Sequence, residues 1–249
     1  MKTIVLLSQK GGSGKSTSVC ALAAGLQRMG RRVLVCDLDA QRNTTMQLSA
    51  AASGATVYDV LVTGTPARDA VQIAQQVAVI PSDRRLARAG LLAKRGDETR
   101  LKRALEAIQD DFDFCIVDTP PTLGAIVLNA LTAADYVLIP DQPDRYGIDA
   151  MRETVATVDE IRRTTNPNII NLGVIVTRYR KNLTVHQVQA EQLQDQGRAL
   201  SVKVYRPYIR DCAAVQEAEI MEASIYDLHR NIAADDYTEL LQQILMDIE

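Results

Sequence analysis

The segment Lys10-Gly11-Gly12-Ser13-Gly14-Lys15-Ser16-Thr17 constrains this chain more than any other. Its closely spaced glycines let main-chain N–H groups approach phosphate oxygens, and the Lys-Ser-Thr that follows adds one charge and two hydroxyls. The apolar run Thr3-Ile4-Val5-Leu6-Leu7 before it reads as a buried parallel strand. The spacing of Val19, Leu22, Ala23 and Leu26 after it predicts a helix over 16–29. Strand, glycine turn and helix N-terminus are the setting a phosphate-binding loop needs. Residues 11–17 are therefore candidate nucleotide contacts, with Lys15 reaching the β- and γ-phosphates and the Ser16 hydroxyl ligating Mg²⁺. The common pattern G-x-x-x-x-G-K-S/T asks for glycine at position 9, where Gln9 stands; a second lysine, Lys10, opens the loop instead.

Short β-branched runs alternate with amphipathic stretches along the rest of the chain. Strands are expected at 3–8, 32–37, 76–80, 113–118, 135–140, 169–177 and 202–205. Helices are expected at 16–29, 57–63, 84–93, 98–110, 123–133, 147–164, 184–196, 213–222 and 233–247. Such alternation predicts an α/β fold, a mostly parallel twisted sheet with helices on both faces and ligands beyond the carboxyl ends of the strands. The 249 residues show no repeat and no linker, and 49–55 is the most flexible-looking stretch, so a single domain is expected over 1–249. The phosphate-loop strand starts at once, leaving no room for a signal peptide. Cys20, Cys36, Cys115 and Cys212 lack zinc or C-x-x-C spacing, and a reduced cytoplasmic protein is expected. A net charge of −3 means that any binding to a polyanion requires a local basic patch.

Lys10 to Thr17 resembles the deviant Walker A loop of the ParA/MinD ATPases. The resemblance implies that Lys10 reaches across an ATP-state homodimer to the partner's nucleotide, in the manner of an arginine finger; the plain alternative is a solvated surface lysine. Cys36-Asp37-Leu38-Asp39-Ala40-Gln41 resembles the family's second nucleotide motif, which implies that Asp39 positions the attacking water and that Asp37 supports the metal or the loop. Phe114-Cys115-Ile116-Val117-Asp118-Thr119-Pro120-Pro121 resembles its Walker B segment, with Asp118 toward Mg²⁺. Matching segments follow at Asn129-Ala130-Leu131 and Pro140-Asp141-Gln142-Pro143, so the resemblance covers the whole chain. It implies ATP and Mg²⁺ as cofactors and slow, partner-stimulated hydrolysis of ATP to ADP and phosphate.

Two destinations are open to such proteins, nucleic acid and membrane. The segment from Tyr237 to Glu249 is amphipathic, but its polar face carries Glu239, Asp247 and Glu249 and no lysine or arginine. Membrane-surface helices are usually basic, so packing on the sheet is expected and membrane attachment is not. Basic residues collect at Arg178, Arg180 and Lys181 and again at Lys203, Arg206 and Arg210. Arg178, Arg180, Lys181 and Arg210 are the candidate contacts to DNA phosphates, bound without sequence preference, as in the small plasmid-type ParA proteins that 209–228 resembles. A solvated face, or arginines that contact nucleotide, is the alternative. Arg206 and Pro207 are candidates for the adenine pocket. The resemblance lacks the N-terminal helix-turn-helix extension of larger ParA proteins. It implies an ATPase that partitions plasmid, chromosomal or other cargo from the nucleoid, with a ParB-like or other small adaptor. A MinD-like membrane organiser and a dethiobiotin-synthase-like ligase are the alternatives.

Overall fold

The computed structural model describes residues 1–51, 53–92, 97–229 and 231–248. Seven strands form one sheet: β1 (Lys2–Leu6), β2 (Val33–Asp37), β3 (Gln72–Ala74), β4 (Val77–Ile80), β5 (Phe114–Asp118), β6 (Tyr136–Asp141) and β7 (Ile170–Val176), in the order β3-β4-β2-β5-β1-β6-β7. All neighbours are parallel except the short β3, which pairs antiparallel with β4 at the edge. The helices are α1 (Lys15–Arg28), α2 (Asn43–Gln47), α3 (Ala67–Ala70), α4 (Arg100–Glu106), α5 (Ala125–Ala133), α6 (Gly147–Arg163), α7 (Thr184–Leu200), α8 (Ala213–Ile220) and α9 (Ile232–Ile248).

Strand side chains alternate between faces, and the two faces carry separate apolar cores. Val5, Cys115 and Val117 pack with Leu101, Leu131 and Met151 on one side. Ile4, Leu6, Phe114 and Ile116 pack with Val19, Leu22, Leu26, Tyr237 and Leu241 on the other. The expected doubly covered sheet is therefore present. The apolar face of α9 (Tyr237, Leu240, Leu241, Ile244, Ile248) is buried in the second core. Glu249 lies outside the described residues, among which no helix is long and apolar enough to cross a membrane.

Several local expectations change. The strand expected at 202–205 is a single bridge, Val204 to Val174. Gly173 lets this segment lie so close: its φ is +141°, and a Cβ there would come within 2.3 Å of the Lys203 carbonyl oxygen. The helix expected at 84–93 is a run of 3₁₀ turns over Arg84–Leu92, with residue 93 outside the described residues. The 57–63 helix is one π-helical turn, Asp59–Thr63, and 98–110 is divided into α4 between two 3₁₀ turns. Three short elements not expected, α2, α3 and β3, are too short to show an apolar period. Within 49–55, Ala51 exchanges hydrogen bonds with Gln72, and Ala52 lies outside the described residues.

Candidate nucleotide and metal site

The loop between β1 and α1 stands at the carboxyl end of the central strands, as a ligand site in an open α/β sheet should. Gly14 takes φ +84°, and a Cβ there would stand 3.3 Å from Thr177, whose hydroxyl donates to the Ser13 carbonyl at 2.7 Å. Lys15 is buried, and its Nζ donates to the carbonyls of Ser8 (3.1 Å) and Lys10 (3.4 Å). Burial pushes its ammonium pKa down, opposed by the charges of Asp118 and Asp39. A cavity of ≈ 470 Å³ opens above the loop, lined by residues 11–17 together with Asp39, Gln41, Asn43, Arg178 and Glu219.

Parallel pairing of β2 with β5 sets Asp37 beside Asp118, both at strand ends and both fully buried. The Ser16 hydroxyl donates to Asp118 Oδ2 at 2.7 Å, and so does the Thr44 hydroxyl, also at 2.7 Å. Asp118 Oδ1 is buried without a hydrogen-bond partner. A buried carboxylate oxygen costs free energy unless something satisfies it, and here it accompanies a hydroxyl in a phosphate loop. That donor set fits Mg²⁺, which takes few protein ligands and completes its shell with water and phosphate oxygen. Asp37 is otherwise engaged: Oδ2 accepts from the Thr45 amide (2.9 Å) and hydroxyl (2.6 Å), and Oδ1 from the Asp39 amide (3.0 Å). Burial, then the neighbouring Asp118 charge, pushes the Asp37 pKa up to about 7; burial likewise raises Asp118.

Asp39 faces the cavity, its Oδ1 accepting from the Gln41 amide at 2.9 Å. The Ser82 hydroxyl, at the end of β4, donates to the Asp39 carbonyl at 2.7 Å. Lys10 is ion-paired with Asp144 of its own chain, in the loop between β6 and α6. Asp141, at the end of β6, is buried with Oδ2 unpartnered.

Arg206 and Pro207 line neither this cavity nor the neighbouring one; Arg206 is exposed, with its guanidinium over the Tyr208 ring at 5.0 Å. The neighbouring cavity, ≈ 280 Å³, shares Gly14, Thr17, Arg178 and Glu219 with the first and adds Pro143, Ile209 and Val215. Of the four candidate DNA contacts, Arg180, Lys181 and Arg210 share one open surface hollow, brought together by a bridge between Tyr179 and Arg210. Arg178 lines both nucleotide-side cavities, and Arg180 and Arg210 also line the second of them. Arg180 pairs with Asp211 at 2.6 Å, and Arg210 with the buried Asp236 at 2.5 Å. Thr44, Thr45, Ser82 and Thr177 were not legible as site residues; the nearest signal was the adjacency of Thr44-Thr45 to the Asp37–Gln41 segment.

A family model described as an AAA domain matches residues 1–171. The sporulation initiation inhibitor protein Soj of Bacillus subtilis is 33% identical over 98% of each chain. This chain belongs to the ParA/Soj family of partition ATPases. A second family member, the chromosome-partitioning ATPase Soj of Thermus thermophilus, is 35% identical over 77% of this chain and 75% of its own. Among solved structures, a cobyrinic acid a,c-diamide synthase of Mycobacterium smegmatis with bound ADP and magnesium superposes with a TM-score of 0.86. It is 28% identical over 100% of this chain and 95% of that one. The matched residues 1–171 include the phosphate loop and both aspartate strands.

Proposed function

We propose that this ATPase cycles between a monomer and an ATP-bound homodimer that holds DNA without sequence preference and positions a cargo. The observation that carries the reading is the convergence of Lys15, Ser16 and Asp39 on one cavity that an extended polyphosphate can fill, with the buried Asp118 behind it accepting from Ser16. Residues 11–17 bind ATP through main-chain amides, and Lys15 carries the compensating charge. Ser16 and Asp118 would hold Mg²⁺, which would supply positive charge against the phosphate oxygens. Asp39 orients the attacking water, while Asp37, engaged by Thr45, fixes the segment that carries Asp39. The base enters the ≈ 280 Å³ neighbouring cavity, where Pro143, Ile209 and Val215 offer apolar surface.

Lys10 leaves Asp144 and reaches the partner's phosphates, which couples hydrolysis to dimer formation. Arg180, Lys181 and Arg210 meet DNA phosphates, and the dimer doubles that patch. Nucleoid association and stimulation by a small ParB-like adaptor follow from the same reading, in a single domain over 1–249. The deciding experiment measures retention on random DNA against salt with ATP and with ADP, alongside sedimentation. ATP-specific dimers with a steep salt slope are expected, since the slope grows by about 0.9 per neutralised phosphate. Equal retention with ADP and ATP would remove the DNA step.

A second reading, an ATP-dependent synthase acting on a small molecule, is favoured by the likeness to the Mycobacterium synthase. It requires ATP turnover stimulated by a small acid or amine and indifferent to DNA. Measuring turnover with each separates the two.

A further inference from the structure

Two consecutive threonines in α2 divide two buried carboxylates between them. Thr45 gives its hydroxyl to Asp37 at 2.6 Å, and Thr44 gives its hydroxyl to Asp118 at 2.7 Å. Both threonines are fully buried, and 74 residues separate Thr44 from the aspartate it holds. Asp118 Oδ2 thus receives two O–H donors, from Ser16 on one side and Thr44 on the other, while Oδ1 receives none. The Ser16 hydroxyl must also present its oxygen to a metal, so it does not by itself fix the carboxylate. Thr44 is anchored elsewhere, on the short helix that follows the Asp37–Gln41 segment. A carboxylate clamped through one oxygen by two hydroxyls presents its other oxygen in one direction. Partners behind a metal-facing group of this kind orient it and tune its affinity.

We infer that Thr44 is a positioning residue for Asp118, turning Oδ1 toward the water shell of bound Mg²⁺. The inference rests on the reading of Asp118 as the Mg²⁺-facing carboxylate. It makes α2 part of the metal site, although α2 contributes no atom to the metal itself. A serine at position 44 keeps the hydroxyl, and a valine keeps the shape and loses it.

The test is a Mg²⁺ titration of the affinity for a fluorescent ATP analogue, using the full chain, with a parallel measurement in EDTA. Thr44→Val should raise the half-saturating Mg²⁺ concentration by about 10–100-fold, the usual cost of losing such a partner. Affinity in EDTA should stay at the wild-type value, and Thr44→Ser should restore the Mg²⁺ response. If Thr44→Val does not fold, Thr44→Ala against Thr44→Ser makes the same comparison. An unchanged Mg²⁺ response in Thr44→Val, or a Thr44→Ser protein as impaired as Thr44→Val, overturns the role of the hydroxyl. A loss of affinity equal in EDTA and Mg²⁺ overturns it too, because the residue would then serve packing. Asp118→Asn separates the two levels. If it shifts the Mg²⁺ response and Thr44→Val does not, the inference alone fails; if Asp118→Asn leaves the response unchanged, the metal reading fails and takes the inference with it.

Discussion

Lys10 rests on the carboxylate of Asp144 within its own chain, so the lysine proposed to act on a partner's nucleotide is held at home in the monomer. Both side chains are partly exposed, and such ion pairs contribute only about 0.2–1 kcal/mol. Asp144→Asn should therefore favour the ATP dimer slightly, lowering its dissociation constant up to about fivefold in sedimentation velocity. Lys10→Ala should bind ATP as a monomer yet form no ATP dimer. A Lys10→Ala protein that dimerises and hydrolyses normally removes the action in trans.

Asp39 is tied to the fold through its main chain as well as its carboxylate, because Ser82 grips its carbonyl oxygen. Asp39→Ala should therefore leave the loop and nucleotide affinity intact while slowing single-turnover hydrolysis by about 10²–10⁴-fold. ATP turnover at the wild-type rate would take the water-orienting role away from Asp39.

The pairing of Arg210 with Asp236 governs how the proposed DNA surface is best probed. Arg210→Ala leaves the buried Asp236 carboxylate with only the main-chain amide of residue 210 and without its guanidinium, and should cost about 1–3 kcal/mol in thermal or urea unfolding. Arg210→Glu adds repulsion to that loss. Lys181 is exposed and makes no ion pair among the described residues. Lys181→Glu should leave stability unchanged, weaken DNA retention and flatten its salt slope. Retention at wild-type level would exclude Lys181 from the surface.

Asp141 predicts a pH signature. Burial pushes its pKa up to about 7 from an ordinary 3.8, with Lys10 lowering it and Asp144 raising it. The folded state then holds a proton that the unfolded chain has released, so this contribution to stability is present below pH ~4 and is lost as pH rises toward ~7. Asp37 has the same sign and adds to the slope. Asp141→Asn should flatten unfolding free energy against pH between about 4 and 7, removing at most ~1.4 kcal/mol per pH unit. It should also raise the melting temperature at pH 8 relative to wild type. An unaltered profile would show that Asp141 ionises as freely folded as unfolded.

The parts of this fold legible in the sequence are those with a strong local period. β1, β2, β5 and β6 are apolar runs, the last three ending in an aspartate, and α1, α6 and α9 show helical spacing. Gln72-Ile73-Ala74 has no such pattern; it is a strand because β4 offers it an edge. Within the site, the motif residues could be read because phosphate chemistry limits what stands at each position. Thr44 could not, since its meaning depends on an aspartate distant in sequence and brought near by sheet pairing. The same holds for Arg210: its charge was visible, but the Asp236 that occupies it was not.

Thr177 covers Gly14 with its side chain, and its main chain continues directly into Arg178 and the bridge at Tyr179. The peptide that closes over the nucleotide loop is thus the first link of the basic surface, with no intervening lever. In the proposed function, the nucleotide loop and the proposed DNA surface would communicate by adjacency, through one short stretch of backbone.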